Sequence, residues 1–121
     1  MSVFLDIPTE DYLFDTDYFF VIYDRYPVSL GHCLIISKKL KKDFFELSEQ
    51  ERNELHSLTV EVKQFLDNNY SPNGYNIGMN CGADAGQTVF HFHCHIIPRY
   101  KGDMANPRGG VRHCVAGKGY Y

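Results

Sequence analysis

No stretch of 18 consecutive apolar residues occurs in this chain, which excludes a membrane-spanning helix. The opening Met1-Ser2-Val3-Phe4-Leu5-Asp6 carries neither a basic region nor a long apolar segment, which argues against a signal peptide. The four cysteines, Cys33, Cys81, Cys94 and Cys114, form no CxxC pair and no close spacing. They read as thiols kept in a reducing cytoplasm. Positive charge is not in excess either: 12 basic against 15 acidic side chains leave a net charge of −3, which argues against general nucleic-acid binding. No repeat, linker or low-complexity tract interrupts the chain. Its 121 residues, 44% hydrophobic and 15% aromatic, predict one domain spanning 1–121 around a single core.

What charge there is lies unevenly. Residues 1–24 hold six acids and no base, whereas 99–121 hold Arg99, Lys101, Arg108, Arg112 and Lys118 against Asp103 alone. A basic end would steer a polyphosphate towards a pocket; an ordinary solvated surface explains the asymmetry equally well.

The most informative stretch is Phe90-His91-Phe92-His93-Cys94-His95-Ile96-Ile97-Pro98-Arg99. Side chains alternate along an extended strand, so His91, His93 and His95 are predicted to share one face, and Phe90, Phe92, Cys94 and Ile96 an apolar opposite face. A fold does not require three imidazoles in a row; chemistry does. One metal held by all three is disfavoured by geometry. The outer Cα atoms would lie roughly 13 Å apart, and their rings would meet a metal from opposite sides rather than at a tetrahedral angle. No metal and no cofactor are expected.

Around this string the pattern predicts a strand-rich α+β domain. Residues 18–23 and 32–37 read as strands separated by a turn. Ser48 and Glu51 form a capping box. The helix that follows places Leu55, Leu58, Val62, Phe65 and Leu66 on one face and ends near Asn68-Asn69. Ser71-Pro72-Asn73-Gly74 is a turn, residues 74–80 a third main strand, and 82–86 the connection to the histidine strand. Short connections favour an antiparallel sheet with the helix against one face.

Taken with its surroundings, His91-x-His93-x-His95-Ile96-Ile97 resembles the signature of the histidine-triad (HIT) superfamily. The likeness extends through Asn80-x-Gly82-x-x-Ala85-Gly86-Gln87-Thr88 and Pro98-Arg99, with Asp24-x-x-Pro27 and Gly31-His32-x-Leu34-Ile35-Ile36-x-Lys38 upstream. The tail Asn106-Pro107-Arg108-Gly109-Gly110-Val111-Arg112 is similar to that of small bacterial members described as dinucleoside polyphosphate hydrolases. The resemblance implies a HIT-like antiparallel sheet of about five strands with one long and one short helix. It also implies a homodimer whose sheets join edge to edge.

It further implies roles. His93 matches a nucleophile that attacks an α-phosphate and becomes nucleotidylated. His95 matches a residue that contacts the α-phosphate or the leaving-group oxygen. His91 matches a supporting position whose backbone carbonyl orients the His93 ring. Asn80, Gln87 and Thr88 match phosphate or ribose contacts, Gly86 belongs to a turn whose amides approach a phosphate, and Asp24 matches an acceptor for the ribose hydroxyls. Ile22 and Tyr23 would lie beside the base, strand packing being the alternative. His95 favours the hydrolase branches, because transferase branches tend to carry Gln there.

Some positions depart from the family pattern or stand outside it. Where many bacterial members open with a zinc-binding Cys-x-x-Cys, this chain reads Ser2-Val3-Phe4-Leu5, and Leu40 stands near the expected histidine, so no structural zinc is expected. His32 is read as structural and His56 as surface. His113 is either solvent-facing or a specificity element. Arg108 and Arg112 either hold distal phosphates or sit on a surface turn leading to a final strand.

The expectation is therefore a cytoplasmic enzyme acting on a nucleotide substrate, with no nucleic-acid or membrane partner. It cleaves dinucleoside polyphosphates through a nucleotidyl-His93 intermediate and releases a nucleoside monophosphate. The alternatives are a purine nucleoside phosphoramidase, a nucleotide-binding or interaction protein with incidental hydrolysis, and a metal-dependent hydrolase.

Overall fold

A computed structural model describes residues 2–121. Five strands, β1 (Phe14–Asp15), β2 (Phe19–Tyr23), β3 (Cys33–Ser37), β4 (Gly74–Gly78) and β5 (His93–Arg99), form one antiparallel sheet ordered β1-β2-β3-β5-β4. One long helix, α1 (Glu49–Tyr70), packs on one face. The short helix implied by the resemblance is realised as 3-10 turns, at Val3–Asp6, Thr9–Asp11, Phe44–Glu46, Ala83–Ala85 and Gly110–Cys114. Among the described residues no helix is long and apolar enough to cross a membrane.

The capping box starts α1: the Ser48 hydroxyl accepts the Glu51 N–H at 3.1 Å, and the Glu51 carboxylate accepts the Ser48 N–H at 2.7 Å. Its end lies slightly past the expected place, at Tyr70, because Ser71 takes a left-handed conformation (φ +52°) and returns its N–H to the Asp67 carbonyl. The 3.6 periodicity buries Leu55, Leu58, Val62 and Leu66, with Phe65 half-buried beside them. Facing them from the sheet are Phe19 and Val21 of β2, Cys33 and Ile35 of β3, and Cys94 and Ile96 of β5.

Alternation sends Phe20, Ile22, Leu34 and Ile36 to the opposite face, where the N-terminal segment covers them with Phe4 and Ile7. Tyr23 follows Phe19 and Val21 to the helix side, where its hydroxyl accepts a hydrogen bond from Tyr70 and its ring meets Phe65. Tyr23 thus makes the strand-packing contacts named as its alternative, on the face opposite Ile22.

The histidine strand is shorter than the alternation predicts. The ladder starts at His93; ahead of it the Phe92 carbonyl still accepts the Ser37 N–H at 3.3 Å, and the chain then departs from the sheet. The Phe92 N–H donates to the Lys41 carbonyl at 2.6 Å, which seats the Phe92 ring in the core. Phe90 is 47% exposed, with the Lys42 ammonium over its ring, and so it does not join the apolar face. No final strand follows Arg112: the chain makes the Gly110–Cys114 turn instead.

Candidate functional site

The register Leu34↔His95 and Ile36↔His93 lays the last two histidines beside the site-face residues of β3. Above them is a cavity of about 500 Å³ lined by Ile22, Asp24, Asn80, Gly86, Thr88, His93 and His95, with Phe4, Ile7 and Leu34 as apolar walls. Arg25 also lines it. A second cavity of about 400 Å³, between β4, β5 and the Gly110–Cys114 turn, shares His95 and Asn80 with the first.

His93 Nδ1 lies 2.8 Å from the His91 carbonyl. A carbonyl can only accept, so the ring proton resides on Nδ1 and Nε2 keeps its lone pair. The carbonyl contact implied by the resemblance is thus present. The His91 ring itself is another matter: it is fully buried and outside the cavity lining. Its Nε2 donates to the Ser37 carbonyl at 2.6 Å and its Nδ1 meets the Ser2 hydroxyl at 2.7 Å. The predicted shared face of three histidines therefore holds for two, because His91 precedes the strand.

His95 has a partner outside the triad. Its Nδ1 lies 2.9 Å from Nε2 of His32, and Asp24 Oδ2 lies 3.4 Å from the same His32 nitrogen. The Val28 N–H donates to His32 Nδ1 at 3.1 Å. A backbone amide can only donate, so a neutral His32 carries its proton on Nε2 and presents it to His95 Nδ1. The proton of a neutral His95 then sits on Nε2, as a donor. His32 thus sets the tautomer of His95, a role the sequence reading missed. The signal was a register contact across 63 residues, invisible in local pattern.

Burial holds the imidazoles of His32, His91 and His95 below their ordinary pKa. Neighbouring His32 and His93 lower His95 further, and Asp24 opposes the shift in both His32 and His95. Ligand atoms of Asp24, His32 and His95 lie within 4.8 Å of one another, close enough to hold a metal. The hydrogen bonds run against that use. A metal on His32 Nε2 would move the ring proton to Nδ1, against the Val28 N–H.

The loop before the triad is braced internally. Gln87, predicted as a substrate contact, is buried. Its Oε1 accepts the Gly82 N–H at 2.8 Å, and its amide nitrogen donates to the carbonyls of Lys42 and Val89. The amides of Ala85, Gly86 and Gln87 are likewise spent on carbonyls of Gly82 and Ala83. Gln87 and those amides are therefore structural, and the side chains of Thr88 and Asn80 are the neutral polar groups the loop brings to the cavity. Gly82 and Gly86, at φ +99° and +95°, take backbone conformations that favour glycine.

The C-terminal arginines turn away from both cavities. Arg108 and Arg112 lie 4.6 and 4.8 Å from the Tyr121 ring centroid, and Arg112 also donates to the carbonyls of Gly119 and Lys118. His113 is part of this tail cluster, bonded to the Arg108 carbonyl and packed on Tyr120.

The HIT domain model matches residues 7–102. The chain is 41% identical over 78 residues to a HIT-like protein of Mycoplasma genitalium, a match covering 64% of this chain and 55% of that one. It is 38% identical over 79 residues to the bis(5'-nucleosyl)-tetraphosphatase of Schizosaccharomyces pombe, covering 65% and 43% of the two chains. The matches thus span about half the length of these relatives. Among solved structures, a HIT family protein of Bacillus anthracis superposes with a TM-score of 0.73 at 33% identity, covering 77% of this chain and 66% of that one.

Proposed function

This chain belongs to the HIT domain family, and from that premise we propose that it is a nucleotide hydrolase acting at an α-phosphate, with dinucleoside polyphosphates as its first substrate class. The observation that carries the reading is the His93–His91 carbonyl contact, which leaves an unprotonated Nε2 on a ring that lines the cavity. Imidazole with one free, aimed nitrogen is a good nucleophile at neutral pH. The similarity to the tetraphosphatase of Schizosaccharomyces pombe and to the bis(5'-adenosyl)-triphosphatase of Dictyostelium discoideum supports the substrate class.

In this mechanism His93 Nε2 attacks the α-phosphorus, and the bond to the bridging oxygen breaks. Its electron pair leaves with the departing nucleoside polyphosphate. His95 Nε2–H, its tautomer set by His32, donates a hydrogen bond to the oxygen that gains charge. Water then attacks the phosphorus, the N–P bond breaks with its electron pair returning to His93, and the water proton passes to solvent. A nucleoside monophosphate is released. Asp24 accepts from the ribose hydroxyls, Ile22, Phe4 and Ile7 pack on the base, and Asn80, Thr88 and Arg25 meet the phosphates.

The test compares wild type with His93→Ala on diadenosine tetraphosphate and adenosine 5'-phosphoramidate in the presence of chelator. AMP release by wild type alone is the expected result, faster from the tetraphosphate. Faster release from the phosphoramidate would move the protein to the phosphoramidase reading. Equal activity in the variant would sink the nucleophile assignment, and loss of wild-type activity in chelator would restore the metal-dependent alternative.

A further inference from the structure

We infer that Ser2 is a positioning residue for His93: its hydroxyl locks the buried His91 ring, and the locked His91 holds the imidazole of His93 through its carbonyl. The inference rests on the nucleophilic role proposed for His93, and it assigns to the N-terminal turn a part in the chemistry beyond walling the cavity.

The argument begins with the donors. His91 is a fully buried imidazole with one partner at each ring nitrogen, the Ser37 carbonyl at Nε2 and the Ser2 hydroxyl at Nδ1. The carbonyl accepts, so the ring proton is on Nε2, and Nδ1 needs a donor, which among the described residues is the Ser2 hydroxyl. The same Ser2 oxygen accepts the Phe4 N–H at 3.2 Å, capping the Val3–Asp6 turn. The turn then sets the Phe4 ring edge-on to both His91 and His93, at centroid distances of 5.6 and 5.0 Å. Two routes therefore join the N-terminal turn to the His93 ring, one through Phe4 packing and one through the Ser2–His91 hydrogen bond.

Position in the fold explains why the second route matters. His91 lies ahead of β5, outside the ladder that begins with the Ile36↔His93 pair. No ladder pair holds His91; the peptide that carries its carbonyl is tied at one end, where the Phe92 N–H donates to the Lys41 carbonyl, and that carbonyl is what orients the His93 ring. Anchors at both ring nitrogens of His91 hold the other end of that peptide. Removing the Ser2 hydroxyl leaves a buried acceptor unpaired, loosens the ring and the His91 end of that peptide, and passes the loss of alignment to Nδ1–H of His93.

Kinetics of Ser2→Ala and Ser2→Thr, beside wild type and His93→Ala, test this together with ¹⁵N NMR of the histidine rings. Ser2→Ala is expected to lower kcat about tenfold with KM changed less than about twofold, as for a lost orienting hydrogen bond. Ser2→Thr keeps the hydroxyl and restores most of kcat. In Ser2→Ala the His91 ring signals shift and the His93 Nδ1–H signal broadens, whereas Ser2→Thr resembles wild type. Unchanged kcat with unchanged ring signals would overturn the inference. So would a loss of kcat that disappears once rates are normalised to folded protein by active-site titration, because Ser2 would then be merely structural. If wild type cleaves neither substrate, the hydrolase reading fails, and the ring signals judge the latch alone: an undisturbed His93 in Ser2→Ala overturns it.

Discussion

The two faces of the sheet are built from the same strands and covered in different ways. On one, Phe19, Val21, Cys33, Ile35, Cys94 and Ile96 meet a 22-residue helix through Leu55, Leu58, Val62 and Leu66. On the other, Phe20, Ile22, Leu34 and Ile36 meet separate residues, Phe4, Ile7, Tyr12 and Val89, and this cover reaches His93 only with the edge of the Phe4 ring, leaving a cavity beside His93 and His95. A face closed by a continuous helix stabilises the fold; a face closed in part leaves a cavity with its side chains already ordered. The largest contrast follows from this division. Leu58→Ala, in the helix core, is expected to cost about 2–5 kcal/mol of stability while leaving kcat per folded molecule unchanged. His93→Ala, on the half-covered face, should lower kcat by about a thousandfold or more with a melting temperature within a few degrees of wild type. Denaturant titration and turnover on the same two preparations check both halves. A destabilised but fully folding-dependent His93→Ala would erase the distinction.

The helix face was the legible one. Its 3.6 periodicity, its capping box and the alternating strands are local patterns, and the register between strands follows from which residues must be buried. The half-covered face depends on contacts that local pattern does not encode. Ile22, Asp24, Asn80, Gly86, Thr88, His93 and His95 line one cavity; what pointed to them in the sequence was the family resemblance, not any local periodicity. Gln87 looked like a donor to substrate because its residue type suits that role, yet the loop consumes it. His91 looked like a strand residue because the alternation continued through it, but the ladder begins two residues later. His32 meets His95 only through the pairing of β3 with β5, and Ser2 reaches His91 across 89 residues. A hydroxyl or imidazole that acts through such a contact leaves no periodic trace.

His32 offers the next contrast, because it belongs to the buried half of the site. His32→Ala deletes the group that gives His95 its Nε2–H tautomer, and kcat is expected to fall about ten- to a hundredfold. ¹⁵N NMR of His95 should change from one tautomer to a mixture. His32→Gln carries an amide N–H towards His95 Nδ1 and should recover part of the loss. A full-rate His32→Ala would show that Asp24, 3.9 Å from His95 Nδ1, is enough to orient that ring.

Acid should separate the faces as well. Burial lowers the pKa of His32, His91 and His95 from the ordinary 6.5, so below that value the unfolded chain binds protons that the folded chain refuses. Stability then rises with pH through this window: it is complete above about 6.5 and is lost as pH falls towards the depressed folded values. Thermal melts from pH 7.5 down to about 5 should show a falling melting temperature, with a shallower slope in His32→Ala. Equal slopes would mean that His32 adds nothing to the acid sensitivity. The helix core carries no histidine, and Leu58→Ala should shift the whole curve without changing its shape.

The smallest effects come from adjacent residues that point to opposite faces. Ile22 is buried among Leu34, Phe4 and Ile7 at the cavity wall, whereas Tyr23 turns to the helix side and is 39% exposed. Ile22→Val removes one methylene where the base is proposed to pack, and should raise KM severalfold, in keeping with about 0.8 kcal/mol per buried CH₂. Tyr23→Phe removes only the hydroxyl that accepts from Tyr70. Both groups are near solvent, so water replaces the lost partner and the cost should stay near about 0.5 kcal/mol, with KM unchanged. Measuring both variants with a nucleotide and by thermal melt reads the alternation of β2 as function. An increase in KM for Tyr23→Phe equal to that for Ile22→Val would require Tyr23 to reach the base, and the sheet would then have to be traversed by a side chain that the structure packs against Phe65.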